Sequence, residues 1–228
     1  METTPRSTPD PLSTSLPAAL PMSLFVFSLV YGGMVCVAGV LGNKQVALGP
    51  LAVEAGIFAF LLLVVTSSAI AELHGRTWAN RLVRIGFAPL ILSMALSWIV
   101  WMLPASPEMQ PANRDAIALI LGSNLRIWLA GLIAYGISQT LNVTIFSALK
   151  GREGSKLLWL RSAIAGVLSQ VVDTLLFISI AFYGVFPIAE LLVGQMIAKV
   201  VLSAVIVPPL IYAMVALGRK LDGTPSPA

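Results

Sequence analysis

The sequence predicts an all-α integral membrane protein, a bundle of six transmembrane helices with both termini in the cytoplasm. Three observations carry that reading. Hydrophobic types make up 57% of the 228 residues and charged types only 11%, against roughly a quarter charged in a soluble domain that must stay in water. Uncharged or nearly uncharged runs recur along the chain at about the 20 residues a bilayer requires. The basic residues fall in short clusters between those runs, which is the distribution of topology signals and not of a binding face. The net charge of +4 and pI near 9.5 therefore point to no nucleic-acid partner; the lipid bilayer is the surrounding that the composition demands.

Residues 1–20 are rich in Pro, Ser and Thr, cannot form a core, and read as a disordered tail. The first span runs from Met22 to Leu41; it is too long for a signal-peptide core and no small-residue cleavage site follows it. The second covers about Leu51 to Ala71 and ends at Glu72, His74 and Gly75. The third covers about Ile85 to Leu103 and closes at Pro104, with Ile117 to Gly122 a short apolar lead-in beyond it. The fourth runs from about Ile127 to Leu149 and the fifth from about Leu158 to Tyr183. The sixth lies within Pro187 to Leu217, longer than a bilayer needs, and Pro208 and Pro209 predict a kink in it. One transmembrane domain over 21–218 results, followed by a short polar tail at 219–228.

Loop charges orient the bundle. Placing the N-terminus inside puts ten of the fourteen basic residues in inner segments, from Arg6 through Arg76, Lys150 and Arg161 to Lys220. Only Lys44, Arg114 and Arg126 fall outside, and Lys199 lies within a span. The positive-inside rule then sets both termini in the cytoplasm, with Trp78 and Trp159 at the inner boundary and Trp101 and Trp128 at the outer one. The single cysteine, Cys36, lies inside the first apolar run and reads as a small apolar filler.

Two segments echo each other 31 residues apart, one beginning Ser138-Gln139 and the other Ser169-Gln170, on the pattern S-Q-x-x-[N/D]-x-x-[I/L]-F. Gln139, Asn142 and Phe146 are spaced by three and four residues and so share a helix face, as do Gln170, Asp173 and Phe177. The fourth and fifth spans are antiparallel neighbours through a short loop, so the two columns are expected to face each other across a cavity.

Charges inside the membrane sharpen the expectation. A carboxylate near mid-bilayer costs roughly 2.5–3.5 kcal/mol on insertion scales, so Asp173 must face the bundle interior. Lys199 is under the same constraint, and a pair between the two is the simplest relief. That pair either handles a solute or proton, or merely pins the fifth span to the sixth. Glu72 and His74, beside Arg76, end the second span and are either interfacial groups or part of the site. No metal-ligand spacing, phosphate loop or nucleophile–base arrangement stands out, so neither an enzyme nor a cofactor is expected.

Ordered motifs add a resemblance. Gly42-Asn43-Lys44, Glu54-Ala55-Gly56, Thr66 to Gly75 and Ala79-Asn80-Arg81 resemble the amino-terminal half of the queuosine precursor transporters. The S-Q-x-x-[N/D] repeat, Asp173-Thr174, Phe182 and the stretch from Lys199 through Pro208 to Tyr212 resemble the carboxy-terminal half. Ser68, His74 and Asn142 depart from that pattern. The resemblance implies uptake, through a bacterial-type inner membrane, of 7-cyano-7-deazaguanine or its aminomethyl relative. A deazaguanine edge offers donors that a carboxylate accepts in pairs, amides can donate and accept, and aromatic rings stack on the flat bicycle. Asp173, Asn142, Gln139, Gln170, Phe146, Phe177, Glu72 and Lys199 are accordingly the expected substrate-binding residues, with a deazapurine as the small-molecule partner.

Two other readings stay open at this point. Substrate-capture subunits of multi-component vitamin importers have similar size and buried polar residues, and would need an energising partner. A structural or assembly protein would use the ionic pair as helix glue and bind no solute. A homo-oligomer is also open, since Gly32-Gly33 and Gly39 permit close helix contact either within one bundle or between copies.

Overall fold

The computed structural model describes residues 20–42, 44–49, 51–121, 125–150, 157–184 and 188–223. In chain order these form α1 (Met22–Leu41), β1 (Gln45–Leu48), β2 (Leu51–Glu54), α2 (Gly56–His74), α3 (Arg76–Met102), α4 (Pro111–Leu121), α5 (Leu125–Ala148), α6 (Leu158–Phe182), α7 (Ala189–Val205) and α8 (Val207–Leu221). Five helices are each long and apolar enough to cross a membrane; α7 and α8, bent by 43° at Ile206, make a sixth, broken span. The bend has a local cause. Pro208 and Pro209 sit in the first turn of α8 and have no N–H to return to the carbonyls of the preceding turn.

The second span starts later than its apolar run suggests. Leu51–Glu54 is a strand, paired antiparallel with Gln45–Leu48 in the register Gln45↔Glu54 and Leu48↔Leu51. Gly49 takes φ 59° at the turn, a conformation glycine adopts without steric cost. The hairpin pairs the facing backbone groups of its two strands, and Ala55 N–H donates to the Lys44 carbonyl at 2.8 Å as the chain leaves for α2. The third span starts earlier than its apolar run. α3 takes in Arg76, Arg81 and Arg84 over 27 residues, roughly 40 Å at 1.5 Å per residue, so its basic first turns reach beyond the hydrocarbon.

α2 is the centre of the bundle. It is apolar or small on every face, the pattern of a helix surrounded by others, and α1, α3, α5 and α8 pack around it. Leu63, Val64, Val65, Ala69 and Ile70 are all buried there, with Phe27 and Tyr31 of α1 and Phe146 of α5 among the largest buried side chains. α6 lies against α5 and α7, and α7 also touches β2. A Cβ added at Gly32, Gly33 or Gly39 would meet nothing within 4 Å, so these glycines do not serve close packing inside the bundle.

The start of α1 and the end of α8 meet at one end of the described bundle. Ser23 Oγ donates to Asp222 Oδ2 at 2.6 Å, its backbone N–H donates to Asp222 Oδ1 at 2.8 Å, and its Oγ lies 2.7 Å from His74 Nε2. This end is called inner, after the count of basic residues. Hydrogen bonds and burial hold Asp222 in opposition: burial pushes its carboxyl up, but the two Ser23 donors and His74 outweigh that and keep it below its ordinary value. α8 continues through Leu221, past the boundary at 218 drawn from composition. The tail read at 1–20 lies outside the described residues apart from Leu20, as do residues 224–228.

Candidate functional site

The buried ion pair expected from the sequence is present. Lys199 Nζ of α7 donates to Asp173 Oδ2 of α6 at 3.0 Å, and both side chains are almost wholly buried. Ser138 Oγ of α5 donates to the other oxygen, Oδ1, at 3.2 Å. Lys199 Nζ also stands 5.8 Å from the Phe60 ring centroid. Each carboxylate oxygen of Asp173 thus has one donor and keeps further acceptor capacity.

This group forms the floor of a cavity of about 410 Å³, within the range typical of small-molecule sites. Its walls come from the outer halves of the helices: Ala38 and Gly39 of α1, Phe60 of α2, Ser93 and Ser97 of α3, Trp128 and Tyr135 of α5, Phe177 and Phe182 of α6, and Gln195 of α7. Phe177 and Phe182 meet edge to face at 6.1 Å. Tyr135 Oη donates to the Val83 carbonyl at 3.1 Å and lies 3.1 Å from Tyr31 Oη, whose own hydrogen completes the contact. Cys36 lines the same space and donates to the Pro89 carbonyl at 3.6 Å, so it is a cavity residue as well as a filler.

Glu54 is the charged residue that the sequence reading left out of the site. It ends β2 and lines the cavity. A Cβ at Gly56 would lie 3.0 Å from the Ala38 carbonyl and 3.0 Å from Glu54 Oε1, and one at Gly42 would collide with the same Oε1. The two glycines therefore let the end of α1 and the start of α2 approach closely, with the Glu54 carboxylate beside them. Burial pushes this carboxyl above its ordinary range; Lys199 opposes that and Asp173 adds to it. The family motif Glu54-Ala55-Gly56 carried the signal, hidden because the residue was read as the head of a span. Gln195 was also within reach, being four residues before Lys199 and so on its helix face.

The two polar columns do not face each other across this space. α5 runs from the outer end inward and α6 runs outward, so the repeats are read in opposite senses. Ser138, at the start of the first copy, meets Asp173, deep in the second. Gln139 and Asn142 turn to α2 instead: Ser67 Oγ donates to Gln139 Oε1 at 3.4 Å, and Asn142 Nδ2 donates to Ser67 and Ser68 Oγ at 3.1 Å. Gln170 is fully buried, and neither of its amide atoms is hydrogen-bonded among the described residues. Of the eight expected residues, Asp173, Lys199 and Phe177 line the cavity; Gln139, Asn142 and Gln170 lie below it.

Phe146 and Glu72 belong to the inner closure. Arg161 Nη2 of α6 donates to Glu72 Oε2 of α2 at 2.9 Å, and its guanidinium stands 4.4 Å from the Phe146 ring centroid. Lys150 Nζ lies 3.4 Å from the same Glu72 oxygen and donates to the Glu72 carbonyl at 3.1 Å. Arg161, counted from sequence among the inner-segment charges, is thus buried, while Arg76 donates to Thr144 Oγ1 at 3.2 Å and not to Glu72.

A curated protein of Bacillus subtilis (strain 168) named "Probable queuosine precursor transporter" is 31% identical over 146 residues, which cover 63% of this chain and 62% of that protein. The aligned part thus spans about three fifths of the relative's length. No solved structure matches. The family model described as "Putative vitamin uptake transporter" matches residues 54–214, a stretch running from Glu54 at the cavity through both polar columns and the Asp173–Lys199 pair. The chain is therefore a multi-pass membrane protein belonging to the putative vitamin uptake transporter family.

Proposed function

We propose that this protein imports a queuosine precursor, 7-cyano-7-deazaguanine or its aminomethyl relative, across the bacterial plasma membrane. The observation that carries the reading is the outer-half cavity with a buried carboxylate–ammonium pair on its floor and aromatic rings in its walls. A bicyclic base fits such a volume. Its ring N–H and exocyclic amine match the free acceptor positions of Asp173, the Gln195 amide serves the remaining edge, and Trp128 or Phe177 supplies a stacking face.

The same arrangement supports a route. The cavity reaches down to Asp173, and below it the chain is closed by the serine–amide contacts of α2 and α5 and then by Glu72, Arg161 and Phe146. Release inward requires those contacts to part. Gln139, Asn142 and Gln170 lie on that way and each has a buried polar atom without a hydrogen bond. Such atoms cost free energy where they stand and gain partners once water or solute enters.

Expression in a strain that lacks both precursor synthesis and its own importer tests the function. Queuosine should reappear in tRNA when either precursor is supplied; its absence despite protein in the membrane refutes the proposal. Uptake into liposomes containing only this chain separates self-sufficient transport from capture for an energising partner.

A further inference from the structure

We propose that Glu54 makes the cavity selective for a flat substrate bearing an ammonium group, so that the aminomethyl deazaguanine is taken in preference to the nitrile. This rests on the transport function proposed above and names the substrate within it. Among the described residues, three charged ones line the cavity: Glu54, Asp173 and Lys199. Asp173 and Lys199 neutralise each other at 3.0 Å. When ionised, Glu54 is therefore left as the uncompensated charge among the described lining residues.

Its setting is poor for a lone anion. No donor among the described residues hydrogen-bonds the Glu54 carboxylate, and burial already disfavours its charged form. The approach of α1 and α2 at Gly42 and Gly56 holds the carboxylate between glycine Cα atoms, which supply neither charge nor a side-chain donor. A carboxylate in such a place takes a proton or a cation. The two candidate precursors share the same bicycle and differ in one substituent: a neutral nitrile that only accepts, or a primary ammonium with three N–H donors. With the guanine edge on Asp173 and the rings between the aromatic walls, an ammonium satisfies Glu54 and a nitrile leaves it unpaired.

The test measures binding to the purified full-length chain by calorimetry with two pairs of compounds. One pair is the aminomethyl and cyano deazaguanines. The other is 3-aminomethylindole and indole-3-carbonitrile, which keep the flat bicycle and the amine–nitrile difference without the guanine edge. The amine of each pair should bind about tenfold or more tighter, the size of one charge-assisted hydrogen bond. Glu54→Gln should bring both ratios close to one while nitrile binding changes little, and Glu54→Asp, which keeps the charge, should retain the amine preference. Equal binding of amine and nitrile to the native chain overturns the proposal, as does equal weakening of both by Glu54→Gln or loss of the preference in Glu54→Asp. Amine preference among the indoles with neither deazaguanine bound upholds the charge selectivity and removes the deazapurine function. Failure of all four compounds to bind removes both.

Discussion

Asp173 and Lys199 pair where helix packing meets the cavity. Removing one partner of a buried pair strands the other and costs about 3–5 kcal/mol, whereas replacing both with apolar groups is often neutral. Asp173→Ala should accordingly lower thermal stability in detergent and abolish uptake. The double replacement Asp173→Leu with Lys199→Met should recover the stability and still transport nothing. Normal uptake by that double variant would show the pair to be helix glue. The sequence made this pair visible because two isolated charges in apolar runs have few ways to be tolerated. Glu54 was not visible in the same way, since an acidic residue at a span boundary is ordinary, and only the hairpin turns it inward.

Asp222 permits a second test on single side chains. Its carboxyl lies below the usual 3.8 because Ser23 donors and His74 outweigh burial. A depressed carboxyl stabilises the fold above its unfolded value and loses that contribution as pH falls through the folded one. Asp222→Asn should therefore melt at a lower temperature than the native chain at pH 7, and the gap should close as the pH falls below 3.8 and through the folded value. A gap that persists unchanged at low pH would mean that the clasp is not electrostatic.

Among the elements, the β1–β2 hairpin departs furthest from expectation. Its second strand, Leu51–Glu54, is apolar enough to read as the head of a span, and hydropathy alone does not distinguish a four-residue apolar strand from a helical turn. Gly49 was the available turn signal. The hairpin's role depends on the glycine contact beside it. Gly56→Ala brings a methyl against the Ala38 carbonyl at 3.0 Å and against Glu54, and neither α1 nor α2 can shift without disturbing the core. A loss of about 1–3 kcal/mol is expected, together with weakened uptake because Glu54 is displaced; thermal unfolding and transport assays on the same preparation check both. The break between α7 and α8, by contrast, was legible from two consecutive prolines, since the missing N–H groups act within one turn.

For the whole molecule, the cavity in the outer half and the Glu72–Arg161 pair in the inner half make two opposed ends. Arg161→Ala should weaken the inner closure by more than a two-state balance of a few kcal/mol can absorb. Cys36, the sole cysteine, lines the cavity and reports its opening. A membrane-impermeant maleimide should label it from outside in the native chain, substrate should protect it, and Arg161→Ala should label about tenfold more slowly as the outer mouth closes. Unchanged labelling in that variant would deny the ion pair a part in the closure.

Span number, the inward turn of Asp173 and Lys199, and the kink near Pro208 follow from the chain read in order, because lipid penalises each exposed charge or open backbone group locally and without regard to partners. Which polar residues reach one enclosed space does not follow. Antiparallel α5 and α6 send Gln139, Asn142 and Gln170 below the cavity and Phe146 and Glu72 to the inner closure, while a short hairpin delivers Glu54 at the N-terminal end of α2. Those outcomes depend on relative helix depth and direction, quantities that residue spacing along a single helix does not contain.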